Sequence, residues 1–112
     1  MKIRLIPGEM RFRLSPSDIK SLSNQQECSM VVYDGLSFTL CIGPSFYSHF
    51  EDGHHLIMLA QQDIETWLAS SQVGVQFFDT HGILYVFEKN LKCTDPKKSC
   101  QSEDAFDWPS PT

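Results

Sequence analysis

The sequence predicts an α+β fold rich in β-structure, in which two tandem β-β-α-β-β halves close on each other as a barrel-like body with pseudo-two-fold symmetry. Three observations predict it: runs that alternate apolar and polar residues, two short capped helices, and an internal repeat. The chain has 112 residues, of which 41% are hydrophobic, enough for one core in one domain. We therefore expect about eight strands and two short helices.

The repeat divides the domain into two halves, residues 1–45 and 46–93. At an offset of 45 residues, the segment from Gly8 to Leu14 aligns with the segment from Gly53 to Leu59. The order of elements is shared along the rest of both halves. In their last strands, the alignment matches Phe38 with Ile83 and Leu40 with Tyr85.

Each strand of the first half is predicted from period-two alternation, which sends one set of side chains inward. Phe12 and Leu14 form such an inward set in the second strand. Asp34-Gly35 indicates a two-residue hairpin, because glycine tolerates the positive φ of a type I′ turn. The remaining predicted strands of this half are Lys2–Ile6, Cys28–Tyr33 and Leu36–Ile42.

The first helix is predicted from its cap. Ser15 is placed as the N-cap, Pro16 at the first helical position, and Asp18 completes an arrangement like a capping box. The second helix, residues 61–69, places Ile64, Trp67 and Leu68 at i, i+3, i+4 spacing, which is typical of core anchors.

The second half repeats the strand pattern of the first. Its first two strands are joined at Asp52-Gly53, and Asp79-Thr80-His81-Gly82 is a longer counterpart of the Asp34-Gly35 turn. The predicted strands outside the aligned segment are Phe46–Phe50, Val73–Phe78 and Ile83–Glu88.

Charge is distributed unevenly along the chain. The formal net charge is −5 overall, yet residues 1–20 carry +3, while residues 21–88 contain no Lys or Arg and carry −8. This acidic stretch repels phosphate and counts against a broad nucleic-acid surface. A nucleic-acid site is therefore an alternative confined to four N-terminal residues, Lys2, Arg4, Arg11 and Arg13.

The cysteines and histidines predict no metal site and no cofactor. Cys28 and Cys41 lie in apolar strands as free thiols, and the spacing of Cys93 and Cys100 is not that of a zinc site. Three histidines, His49, His54 and His55, cluster around Glu51-Asp52-Gly53, where an imidazole and carboxylate group is the alternative metal site. Adjacent side chains of an extended strand point to opposite faces, which argues against joint ligation by His49, His54 and His55.

No nucleophile, phosphate-binding or metalloprotease motif occurs, so we name no catalytic residue and favour a non-enzymatic protein. Residues 94–112 form a Pro- and Ser-rich, acidic and aromatic tail. Its aromatic residues either fold back as an arm or form a linear motif for a partner protein. The partner-binding candidates are Phe106, Asp107 and Trp108.

Four stretches of the chain resemble a family of small uncharacterised bacterial proteins: residues 1–6, 10–19, 86–93 and 103–106, which read MKIRLI, MRFRLSPSDI, VFEKNLKC and EDAF. The resemblance implies a bacterial cytosolic protein and transfers no catalytic residue.

The order of elements over residues 6–19 is also similar to the swapped-hairpin fold of transition-state regulators and addiction-module antitoxins, which build the barrel from two chains. In that fold, basic residues of both protomers hold DNA. Arg11 and Arg13 fit this role, whereas the residues at their offset positions are Leu56 and Met58.

The leading hypothesis is a non-enzymatic protein-interaction or regulatory domain in the cytoplasm, monomeric or weakly dimeric, whose tail contacts a protein partner. No apolar run reaches the roughly 20 residues that span a bilayer. The alternatives are a nucleic-acid-binding regulator and a small ligand-binding or hydrolytic barrel. The last of these requires a concave pocket with convergent polar groups.

Overall fold

The structure is a computed structural model that describes residues 1–92 and 104–107. Within them the chain forms eight strands and two helices in the order β-β-α-β-β, repeated once, as the sequence predicts. The elements are β1 (Lys2–Ile6), β2 (Glu9–Leu14), α1 (Pro16–Gln25), β3 (Glu27–Tyr33), β4 (Leu36–Gly43), β5 (Tyr47–Glu51), β6 (His54–Ala60), α2 (Gln61–Leu68), β7 (Gly74–Phe78) and β8 (Leu84–Lys89).

Each half contributes one hairpin to each of two four-stranded sheets. Sheet A has the order β1-β2-β8-β7, and sheet B has the order β3-β4-β6-β5. In each sheet the two hairpins meet at a central parallel pair, β2 with β8 and β4 with β6. No pairing joins sheet A to sheet B among the described strands, so the body is a sandwich of two sheets and the expected barrel is not closed.

The register shows that the offset between the halves changes before the last strand. In the central pairs Phe12 lies opposite Phe87 and Ile57 lies opposite Leu40. Because Phe12 and Ile57 are equivalent at an offset of 45, Leu40 is equivalent to Phe87 at an offset of 47. The predicted match of Leu40 with Tyr85 is therefore wrong by two residues, as is that of Phe38 with Ile83. The offset of 47 is already present in β7, because Met30 lies opposite Phe38 and Phe77 lies opposite Tyr85. The shift therefore arises in the connection between α2 and β7, which is longer than the connection between α1 and β3.

The N-cap of helix α1 and the hairpin turns are formed by residues that are close together in the sequence. The Ser15 hydroxyl accepts a hydrogen bond from the Asp18 N–H at 3.2 Å, and the Asp18 carboxylate accepts one from the Ser15 N–H at 2.9 Å, which confirms the capping box. The predicted hairpin at Asp34-Gly35 is confirmed. The predicted type I′ turn is wrong, because that turn needs a positive φ at both residues and only Gly35 of the two has one. Both turn residues have positive φ at Asp52-Gly53 instead.

The core lies between the inner faces of the sheets and beneath the helices. The rings of Phe12 and Phe38 meet edge to face across the sheets, with centroids 6.1 Å apart, and Phe12 stacks on Phe87 at 5.0 Å. Helix α2 is not long or apolar enough to cross a membrane, and neither is α1. The core residues are Phe12, Leu14, Leu22, Cys28, Phe38, Leu40, Ile57, Leu59, Ile64, Trp67, Tyr85 and Phe87.

Candidate functional site

The four basic residues singled out in the sequence lie together on the outer face of sheet A. Lys2 and Arg4 are on β1, and Arg11 and Arg13 are on β2. The register places Lys2 opposite Arg13 and Arg4 opposite Arg11. Each cation therefore has another cation as its direct cross-strand neighbour.

Arg11 forms ion pairs with acidic side chains, and Arg13 lies opposite Glu88 in the register of β2 and β8. Arg11 contacts the Glu9 carboxylate at 3.2 Å and the Glu88 carboxylate at 2.8 Å. The hydrogen bond and charge of Glu9, followed by Glu88, raise the pKa of Arg11 above its ordinary value. Within residues 1–92 and 104–107, the other three cations form no ion pair.

The four cations line a cleft of about 250 Å³, together with Ile3, Phe12 and Glu88. We refer to this cleft as the basic cleft. Directly opposed like charges destabilise a strand pair, and the equivalent pair in the second half contains none: β5 and β6 pair Tyr47 with Met58 and His49 with Leu56. The fold therefore forms without this charge arrangement.

A second group of polar side chains lies between the sheets, on the opposite half of the repeat, where His55 and Tyr85 are buried and Ser48 and Asp79 are half-buried. The Tyr85 hydroxyl lies 3.1 Å from the Asp79 carboxylate, 3.1 Å from the Ser48 hydroxyl and 3.3 Å from His55 Nε2. Since a carboxylate only accepts, the hydroxyl proton of Tyr85 goes to Asp79, and the tyrosine oxygen accepts from its other two neighbours. We call these four residues the Tyr85 cluster.

The environment of the cluster fixes its charges at neutral pH. Burial lowers the pKa of His55, which keeps the imidazole neutral. Burial raises the pKa of Tyr85, and the hydrogen bond and charge of Asp79 raise it further, whereas the hydrogen bond with Ser48 lowers it. Burial would raise the pKa of Asp79, but hydrogen bonds from the Ile83 and His81 N–H groups and from Tyr85 outweigh it and lower the pKa.

A pocket of about 150 Å³ lies beside the Tyr85 cluster. It shares Ser48 and Asp79 with the cluster and is walled by three aromatic rings. We call it the aromatic pocket. Its lining residues are Phe46, Tyr47, Ser48, Phe78, Asp79 and Thr80.

Sequence reasoning did not identify the Tyr85 cluster. Alternation correctly placed adjacent His54 and His55 on opposite faces: His54 is exposed and lies 2.6 Å from the Ser37 hydroxyl, whereas His55 is buried. A usable signal was present in the repeat, since Ser48 and His55 align with apolar Ile3 and Met10. Among the described residues, no group of three His, Cys, Asp or Glu side chains is arranged to hold a metal ion.

The described part of the tail lies against the body. The Phe106 N–H donates to the Asn90 carbonyl at 2.7 Å, and the Phe106 carbonyl accepts from the Lys92 N–H at 3.0 Å. The carboxylate of Asp107 lies 2.7 Å from the Lys92 ammonium. Trp108 lies outside the described residues, and partner binding by Phe106, Asp107 and Trp108 stays a prediction.

Comparison with known proteins gives one match. A protein-family model matches residues 1–110, nearly the whole chain, and its description is "Family of unknown function (DUF7009)". No curated protein and no solved structure matches the chain.

Proposed function

The chain belongs to DUF7009, a family of unknown function, and we propose that it is a non-enzymatic binding domain whose basic cleft holds an acidic segment of a protein partner. One observation carries the proposal: Lys2 faces Arg13, and Arg4 faces Arg11, across one strand pair. The opposed cations repel each other in the free protein, and a bound anion would reduce this repulsion. The reduction would add to the affinity for an anionic partner.

The edge of sheet A supports a peptide as the anion. Within residues 1–92 and 104–107, strand β1 pairs with β2 and with no other strand, so its outer edge offers backbone groups to a further strand. Leu5 is 52% exposed on the face of β1 opposite the cations, and Ile6, on the same face as the cations, is 39% exposed. A peptide strand that alternates acidic and apolar residues would add to β1 through backbone hydrogen bonds, with its acids on the basic cleft and its apolar side chains on Leu5.

The charge of the remaining body favours a peptide over a nucleic acid. Residues 21–88 carry eight carboxylates and no Lys or Arg, so a long polyanion that extends beyond the cleft meets repulsion. A short acidic strand stays within the cleft. Nucleic-acid binding through the same four cations remains the second outcome that the experiment distinguishes.

A bacterial, cytoplasmic location is part of this proposal. It is supported by the resemblance of residues 1–19 to small bacterial proteins and by the free thiols of Cys28 and Cys41, which are typical of a reducing compartment. Fractionation of a producing bacterium, followed by immunoblotting, tests the location.

The test measures binding of a fluorescein-labelled peptide of alternating Glu and Val to the full chain by fluorescence anisotropy. We expect saturable binding that weakens as salt is added. The double variant Arg4→Glu/Arg13→Glu should raise Kd by about tenfold or more, since two charge contacts of roughly 1 kcal/mol each become repulsive. Lys20→Glu is the matched control, because Lys20 is an exposed cation on α1 outside the cleft.

Three results would contradict the proposal. Absence of peptide binding at low salt removes it. An equal loss in Lys20→Glu shows attraction by net charge alone. Tighter binding of duplex DNA than of the peptide, with the same loss in Arg4→Glu/Arg13→Glu, replaces it with the nucleic-acid-binding regulator.

A further inference from the structure

The aromatic pocket combines groups that have no role in the proposed partner site. It is lined by residues of β5, β7 and the loops next to them, and it shares no lining residue with the basic cleft. Its polar groups are one carboxylate and two hydroxyls, from Asp79, Ser48 and Thr80.

The fold does not require the polar groups behind this pocket. In the first half, the residues equivalent to Ser48, His55 and Tyr85 are Ile3, Met10 and Phe38, all apolar. The same four-strand and helix unit therefore forms with an apolar interior at these positions. Because buried polar groups cost free energy that a matched apolar set avoids, their presence in one half alone points to a role other than folding.

Three aromatic side chains wall the pocket, and Tyr47 stacks on the imidazole of His49 with centroids 6.4 Å apart. Phe46 is held in place by stacking on Phe77 at 5.1 Å and by an edge contact with Tyr85 at 5.3 Å. Phe78 is 64% exposed and Tyr47 is 51% exposed. Large rings left in water around a carboxylate form the arrangement that attracts an organic cation, through cation–π contacts and charge.

The charge around the pocket selects the same kind of ligand. No Lys or Arg occurs between residues 21 and 88, so no side chain of that stretch neutralises the Asp79 carboxylate. The carboxylate accepts three hydrogen bonds, from the N–H groups of His81 and Ile83 and from the Tyr85 hydroxyl. These bonds hold it in a fixed position with capacity for a further donor.

We propose that the aromatic pocket binds the primary ammonium group of a small amine or of a lysine side chain, with Asp79 as its ion partner. The hydroxyls of Ser48 and Thr80 accept hydrogen bonds from the ammonium N–H groups, and the rings of Phe46, Tyr47 and Phe78 surround its alkyl chain. The volume of about 150 Å³ admits an alkylammonium group of a few carbon atoms.

The test is an NMR titration of the full chain with n-butylammonium chloride, with sodium chloride at equal ionic strength as the reference. We expect saturable shifts of the backbone signals of Tyr47, Phe78 and Thr80. Asp79→Asn keeps an oxygen for the backbone N–H groups but removes the charge, and should weaken binding by about tenfold or more. Asp34→Asn, in the equivalent hairpin of the first half, is the matched control and should leave Kd unchanged.

A second variant keeps the proposal testable if Asp79→Asn alters the fold. Phe78→Leu replaces an exposed ring, so we expect the melting temperature to stay unchanged. The Kd for n-butylammonium should rise by about threefold or more, because the cation–π contact is lost. N-acetyl-lysine methylamide distinguishes the source of the ammonium: tighter binding than n-butylammonium identifies a lysine of a peptide, and weaker binding identifies a free amine.

Two results would overturn the proposal. One is the absence of saturable shifts with both amines in the folded protein. The other is equal affinity for tetramethylammonium, because that ion cannot donate hydrogen bonds to Ser48 or Thr80. Neither result bears on the basic cleft, which is tested with a different probe and different variants.

Discussion

Truncation of Trp67 tests whether helix α2 anchors the core. Trp67 is 1% exposed and belongs to the buried cluster between the helices and sheets. Its indole Nε1 is buried and has no hydrogen-bond partner within the part of the chain that the structure describes. The Lys89 ammonium lies 5.8 Å from the ring centroid. Trp67→Ala therefore removes packing and a cation–π contact and also relieves one unpaired donor.

The magnitude follows from these opposing effects. A buried aromatic side chain covers about 150–250 Å², which at about 25 cal/mol per Å² corresponds to roughly 4–6 kcal/mol. Removal of the buried, unpaired N–H raises the free energy of unfolding by about 1 kcal/mol or more, which offsets part of this loss. We expect Trp67→Ala to lower the free energy of unfolding by about 3–5 kcal/mol. Trp67→Phe keeps a ring and also removes the unpaired N–H, so its cost should be about 0–2 kcal/mol.

Urea unfolding followed by far-ultraviolet circular dichroism measures both variants, with thermal melts as a second readout. The Trp67→Ala loss corresponds to a fall of roughly 12–20 °C in Tm for a domain of this size. A loss below about 1 kcal/mol for Trp67→Ala would refute the placement of α2 in the core. Both variants remove the N–H, so a cost for Trp67→Phe clearly above about 2 kcal/mol would refute the argument that its removal offsets part of the lost packing.

Two further predictions concern His55 and the glycine turns. Because burial lowers the pKa of His55, the unfolded chain binds a proton near pH 6.5 that the native state resists. The free energy of unfolding should fall as the pH drops below about 6.5, and His55→Phe should flatten this dependence in urea titrations between about pH 5 and 7. A Cβ at Gly53 would overlap the carbonyl oxygen of Gly35, whereas Gly8, its repeat equivalent, faces open space, although both have a positive φ. Gly53→Ala should therefore lower Tm clearly more than Gly8→Ala, whose cost is limited to strain of about 1–2 kcal/mol; equal melts would contradict the close approach of the two turns.

The parts of the fold that depend on neighbouring residues could be predicted from the sequence. The Ser15 cap is fixed by groups within one helical turn, and the inward set of β2 follows from alternation alone. The meeting of β2 with β8 could not be predicted in the same way. Strand alternation reports which face is buried but not which strand lies beside it, and a register shift of two residues preserves the faces. For this reason the repeat in the sequence predicts Tyr85, and not Phe87, as the equivalent of Leu40.

The same division applies to the candidate sites. Period-two spacing is sufficient to place Lys2 and Arg4 on one face, and the hairpin at Gly8 brings Arg11 and Arg13 beside them. The Tyr85 cluster instead joins β5, β6, β8 and the loop after β7. It depends on contacts between residues up to 37 positions apart, which no local pattern encodes.

The repeat acts as an internal control on what the fold requires. Features present in both halves, such as the hairpin pairs and the buried residues Leu14 and Leu59, are sufficient to form the body. The opposed cations occur only in the first half, and the Tyr85 cluster occurs only in the second. Each arrangement is of a kind that costs stability, through like-charge repulsion in one and buried polar groups in the other. A destabilising arrangement that one half has and its structural equivalent lacks is expected of a binding site. A ligand that removes the destabilisation binds more tightly for that reason. The two proposed sites therefore divide between the halves, with the proposed anion site in the first and the proposed cation site in the second.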